Sequence, residues 1–175
     1  MKAENITKVA LFAALTAVGA QISIPIGTVP VTLQALFVLL CGMLLEPKLA
    51  LASQLIYLLM GAIGLPVFAG FKGGLAHLYG PTAGYLWSFP IASLMVSKFS
   101  FSAKGFLKKL LWGLVGIGVI YFLGWSRLGF FLHGDFHKAF HIGVVPFVGI
   151  DVAKAFLASV IAEKVKVFGV ARQKA

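Results

Sequence analysis

Charged side chains in this chain fall almost entirely at the joints between six long apolar runs, and few folds accommodate that arrangement. The runs cover residues 6–24, 31–45, 49–64, 82–97, 106–125 and 144–162. A helix crossing a bilayer needs about 20 apolar residues, and most of these runs approach that length. The second and third are shorter and read as a hairpin turning at Glu46-Pro47-Lys48, with Pro47 ending one helix or starting the next. Apolar residues make up 60% of the chain and charged residues 11%, whereas soluble domains carry about 25% charge. Too little polar material is present to cover a soluble core. The sequence therefore predicts an all-α integral membrane protein with six transmembrane helices, forming a single membrane domain over residues 1–175, with no internal repeat or soluble linker. One cysteine, Cys41, excludes an intrachain disulfide and reads as a small buried residue.

The net charge of +10 would suggest nucleic acid in a soluble protein. Here the basic residues mark topology instead, and no nucleic-acid partner is expected. With the N-terminus cytoplasmic, the inner ends hold Lys2, Lys8, Lys48, Lys98, Lys104, Lys108, Lys109, Lys164, Lys166, Arg172 and Lys174. The outer ends hold Lys72, Arg127 and Lys138, leaving Lys154 inside a run. Cytoplasmic loops are enriched in Lys and Arg, so both termini are predicted to be cytoplasmic in a multi-pass protein of the cell membrane. Glu4 and the five later runs argue against reading the first run as a cleaved signal peptide.

Asp151 and Lys154 stand three apart within the last run, one helical turn, so they share a face. Charge at mid-bilayer costs about 2.5–3.5 kcal/mol per residue on insertion scales. Two roles remain open: binding a ligand, or a mutual ion pair that locks helix packing. Both residues lie towards the predicted outer side, beside a loop over residues 65–81 that is apolar, aromatic and rich in Gly and Pro. Such a segment packs over helix ends, because irregular backbone at membrane depth must be covered by protein or line a cavity. His133, His137 and His141 raise a competing reading, an integral-membrane metalloprotein or metalloenzyme. Their spacing by four lines one face of a helix, with Asp135 nearby, although Gly134 and Gly143 weaken a helix there.

Several segments carry a family resemblance. ALFAALTAV (residues 10–18), IPIGTVPVTLQ (24–34), SQLIYLLMGAIGLPVFAG (53–70), GPTAGYL (80–86) and VVPFVGIDVAK (144–154) resemble the BioY biotin-transport family over about residues 9–160. Residues 99–142 match least. The family usually has a second glycine where this chain has Ala83, and Pro-Gly where this chain has Gly149-Ile150. The resemblance implies the substrate-binding S component of an energy-coupling factor transporter of the ABC type, which captures biotin with high affinity from outside and is not an enzyme. It implies a transmembrane coupling protein and two ATPases as partners, consistent with the absence of a G-x-x-x-x-G-K-[ST] loop. No cofactor or resident metal is expected. Within that resemblance Lys154 pairs with the biotin carboxylate, and Asp151 either meets the ureido N–H groups or positions Lys154. Phe68, Phe71, Gly73, Gly74, Leu75 and Tyr85 surround the apolar body, and Gln34, with Thr32 and Gln54, is placed to reach the ring or to bond a neighbouring helix. Ala10, Ala13, Ala14 and Ala17 form two small-x-x-x-small pairs that suit close helix approach in lipid, either to the coupling protein or within this chain.

Overall fold

The computed structural model describes the backbone of residues 2–103 and 105–173 and the side chains of 2–103 and 105–165. Among the cations on which the predicted orientation rests, Lys104 and Lys174 lie outside the described residues, as do the side chains of Lys166 and Arg172. The protein is mostly helical. Its helices are α1 (Ala3–Gln21), α2 (Gln34–Leu44), α3 (Pro47–Ala62), α4 (Ala83–Ser100), α5 (Phe106–Phe131), α6 (Phe136–Gly143) and α7 (Val148–Gln173). Six of these fall on the six apolar runs. The runs Phe106–Phe131 and Phe136–Val165 are long and apolar enough to cross a membrane by length and composition; α2 and α3 are shorter apolar helices.

Three features depart from the sequence reading. A two-stranded antiparallel hairpin, β1 (Ser23–Ile24) and β2 (Val31–Thr32), sits between α1 and α2, with Ser23 opposite Thr32 and Ile24 opposite Val31. Helix α5 runs six residues past its predicted end, because the apolar pattern continues beyond Arg127. A separate short helix, α6, follows; the Asp135 carboxylate accepts from the Lys138 backbone N–H at 2.8 Å and caps its start.

Helix α2 is the centre of the core, with nine of its eleven residues buried. It packs on α1, α4 and α7 more than on α3, the helix it follows through the Glu46–Pro47 turn. Cys41 is buried there. Small hydroxyl residues stitch neighbouring helices together: Ser53 donates to the Val9 carbonyl (3.1 Å), Ser93 to that of Ala50 (3.3 Å) and Ser97 to that of Leu45 (2.6 Å). Small side chains let helix backbones approach, and a hydroxyl bonded to a carbonyl leaves no orphaned polar group in apolar surroundings. At the end of the helices remote from the hairpin, buried Lys109 on α5 forms an ion pair with Glu163 on α7.

The segment between α3 and α4 is irregular yet firmly tied. Phe68 and Lys72 exchange backbone hydrogen bonds (2.9 and 3.3 Å), and the Gly74 N–H reaches the Gly61 carbonyl at 2.7 Å. Gln21, at the end of α1, donates to the Pro66 and Phe68 carbonyls and accepts from the Phe71 N–H. Trp87 donates to the Leu78 carbonyl, and Arg127 to those of Tyr79 and Gly80. Four helices thus satisfy a backbone that has no regular ladder of its own.

Candidate functional site

A cavity of about 160 Å3 opens at the hairpin end of the bundle. Its walls come from the hairpin turn (Thr28, Val29, Pro30), the first turn of α2 (Gln34, Ala35) and the loop (Phe68, Ala69, Lys72, His77). Helix α4 supplies Tyr85, Leu86 and Phe89; α5 supplies Ile120 and Tyr121; Phe147, Asp151 and Lys154 come from the last segment. Thr32 and Thr82 also line it. The surface is chiefly aromatic and aliphatic, with a few polar groups held in place.

The aromatic walls depend on glycines in facing helices. A side chain at Gly61 on α3 would overlap the Phe68 ring, and one at Gly124 on α5 would overlap Tyr85. Tyr85 passes between Gly124 and Gly143 and donates its hydroxyl to the Gly143 carbonyl at 2.8 Å. Both rings are therefore fixed before any ligand arrives.

The polar groups are equally constrained. Lys154 Nζ donates to Asp151 Oδ1 at 2.6 Å, and Tyr121 Oη donates to Asp151 Oδ2 at 2.7 Å. Asp151 and Lys154 are each 6% exposed. Removing one member of a buried pair leaves an uncompensated charge and costs about 3–5 kcal/mol, so each side chain depends on the other being present. Across the cavity, Gln34 Nε2 donates to Tyr57 Oη (2.5 Å), Thr32 Oγ1 donates to Gln34 Oε1 (2.9 Å), and Tyr57 donates to the Val67 carbonyl (3.2 Å). This network fixes the Gln34 amide while each end keeps further bonding capacity.

The fold gathers Asp151, Lys154, Phe68, Tyr85, Gln34 and Thr32 around the cavity. It places Phe71, Gly73, Gly74 and Leu75 outside its lining: Phe71 is 71% and Leu75 60% exposed. Phe71 occupies the left-handed backbone region, which turns the loop, and Gly73 packs against the backbone of Gly64 and Leu65. Gln54 bonds to Thr16 (3.2 Å) away from the cavity. Tyr121, Lys72, His77 and the 28–30 turn are additional lining residues. Tyr121 carried a readable signal, a hydroxyl in an otherwise apolar run that must find a partner; Phe89, Ile120 and Phe147 carried none that distinguishes them from core.

The structure does not support the three-histidine reading. His133 lies in a left-handed turn before α6 and so leaves the helical register that would align it with His137 and His141. Asp135 is engaged as a helix cap. His137 and His141 remain adjacent on α6, with ring centroids 4.6 Å apart, but among the described residues no group of three His, Cys, Asp or Glu side chains is placed to hold a metal. The four alanines of α1 divide between two environments: Ala10 and Ala14 are exposed, Ala17 is half-buried and Ala13, at 1% exposure, belongs to the protein's own core.

Comparison with known proteins gives one consistent result. The BioY family model matches residues 1–169. A probable biotin transporter BioY of Pyrococcus horikoshii is 50% identical over 95% of this chain and 98% of its own length. The biotin transporter BioY of Thermotoga maritima is 43% identical over 96% of this chain and 99% of its own. Among solved structures, the S-component for biotin from an ECF-type ABC transporter superimposes with a TM-score of 0.88 at 28% identity, covering 94% of this chain and 92% of that one.

Proposed function

The chain belongs to the BioY family, and from that premise we propose that it is the S component of an energy-coupling factor transporter, capturing biotin at the cell membrane for uptake. The observation that carries this reading is the cavity itself. A buried Asp151–Lys154 pair sits among aromatic and aliphatic walls, in a chain whose relatives along its whole length are biotin transporters. Biotin presents an apolar body between a ureido ring and an anionic tail, and a mostly apolar site with few placed polar groups suits it.

Lys154 offers three N–H donors, of which Asp151 takes one. The others serve the ligand carboxylate, while Asp151, held from its other oxygen by Tyr121, fixes the ammonium in place. Phe68 and Tyr85 flank the apolar body, and Gln34 faces the polar ring. The protein is a binding subunit and not an enzyme; a transmembrane coupling protein and two ATPases supply energy. The helices α1 to α5 and α7 form the six crossings, with both termini cytoplasmic and the cavity facing outside. That orientation is supported by Lys2, Lys8, Lys48, Lys98, Lys108 and Lys164 at the end remote from the cavity, against Lys72, Arg127 and Lys138 at its own end.

The test is calorimetry on the purified protein in lipid nanodiscs. Stoichiometric biotin binding is expected, with no further heat of binding once the protein has been saturated with biotin. Failure of the intact protein to bind biotin would overturn the assignment.

A further inference from the structure

Binding a carboxylate at Lys154 raises a charge problem that the buried pair does not solve. Asp151 already balances Lys154 at 2.6 Å, so a ligand carboxylate would leave the group of three with one excess negative charge. The wall contains one other residue of fixed positive charge, Lys72. Arg127 is engaged with the Tyr79 and Gly80 carbonyls and does not line the cavity. Two lysines against one aspartate give the lining a net charge of +1, the complement of a monoanion.

The position of Lys72 is set by the fold. Its backbone is paired in both directions with Phe68, whose ring is seated against Gly61, and its side-chain stem lies 3.9 Å from the Cβ position of Gly70. Among the described residues its ammonium takes part in no salt bridge. We propose that Lys72 is a second, specificity-determining cation of this site, reading the anionic tail of the ligand from the mouth of the cavity. The Asp151–Lys154 pair supplies buried hydrogen bonds but no net charge; Lys72 makes the site prefer a carboxylate over a neutral tail. This rests on the binding role proposed above.

The experiment compares biotin with biotinamide, whose tail is neutral, on the intact protein in nanodiscs, using wild type, Lys72→Gln and Lys72→Arg. Lys72→Gln is expected to weaken biotin about fivefold, the upper range for a pair at the solvent edge, while leaving biotinamide within about twofold, and Lys72→Arg is expected to retain biotin affinity. The biotin loss should shrink in high salt, because an exposed charge is screened and a buried one is not. Equal losses for both ligands would assign Lys72 to holding the loop, and undiminished biotin binding would remove it from the site; either result overturns the proposal. Absence of biotin binding by the wild type would instead defeat the functional assignment, so the two failures are distinguishable.

Discussion

On the proposed function, the ligand and the protein share the Lys154 ammonium. One N–H is committed to Asp151, and the remaining donors would set how well an anionic tail is held. Lys154→Ala is expected to weaken biotin by more than about tenfold, since truncating one partner of a buried charge pair costs about 2–5 kcal/mol, part of it from the partner left behind. Biotinamide should lose less, because it offers an N–H to the orphaned Asp151; calorimetry with both ligands checks this. Equal losses would make the pair a packing device. Gly124 tests the site through the Tyr85 ring that it accommodates. A methyl group there would collide with the Tyr85 ring, and overpacking of a tight contact costs about 1–3 kcal/mol. Gly124→Ala should lower both thermal stability and biotin affinity, whereas Gly118→Ala, on the same helix with open space around it, should change neither.

Among the elements, α1 has two unlike faces. Val9, Phe12, Ala13 and Thr16 point into the bundle, while Ile6, Ala10, Leu11, Ala14 and Val18 are exposed. The outward stripe contains a small-x-x-x-small pair, Ala10 and Ala14, flanked by larger apolar residues, as close packing against another membrane helix requires. Ala14→Trp is expected to abolish assembly with the coupling protein in co-purification while leaving biotin affinity nearly intact. Ala13→Trp, one residue away but buried, should instead destabilise the subunit itself. Should Ala14→Trp destroy binding together with assembly, the docking surface lies elsewhere.

Across the whole molecule, the cavity lies at one end, and the Ala10/Ala14 pair lies near the middle of α1, away from it. On the proposed function, binding and energisation are therefore expected to be separable. Biotin binding by the isolated subunit is expected to be indifferent to ATP, whereas uptake into proteoliposomes should require the coupling protein and ATPases. An ATP-dependent change in biotin affinity of the subunit alone would contradict this division. The charge asymmetry also predicts that cysteines placed near Lys48 are labelled from the cytoplasmic side only, and those near Lys138 from the outside only.

The apolar runs determined by themselves that the chain is helical and where six of its helices lie, because the polarity of each segment is a local property that no partner need supply. The Asp151–Lys154 spacing was legible for the same reason: one helical turn fixes their shared face. The α5 extension and α6 were not, since the end of a helix depends on which cap and turn win after the apolar pattern fades. The site divided along the same line. Asp151, Lys154, Phe68, Tyr85 and Gln34 stand together only because four segments converge on one end of the bundle, whereas Phe71 and Leu75, near neighbours of Phe68 in sequence, face outward. Nothing local distinguishes them; the Phe68–Lys72 pairing and the vacancy at Gly61 decide which side chain turns inward. Sequence fixes what each segment must avoid, namely water or lipid, while the choice among its side chains is made by the space the other helices leave open.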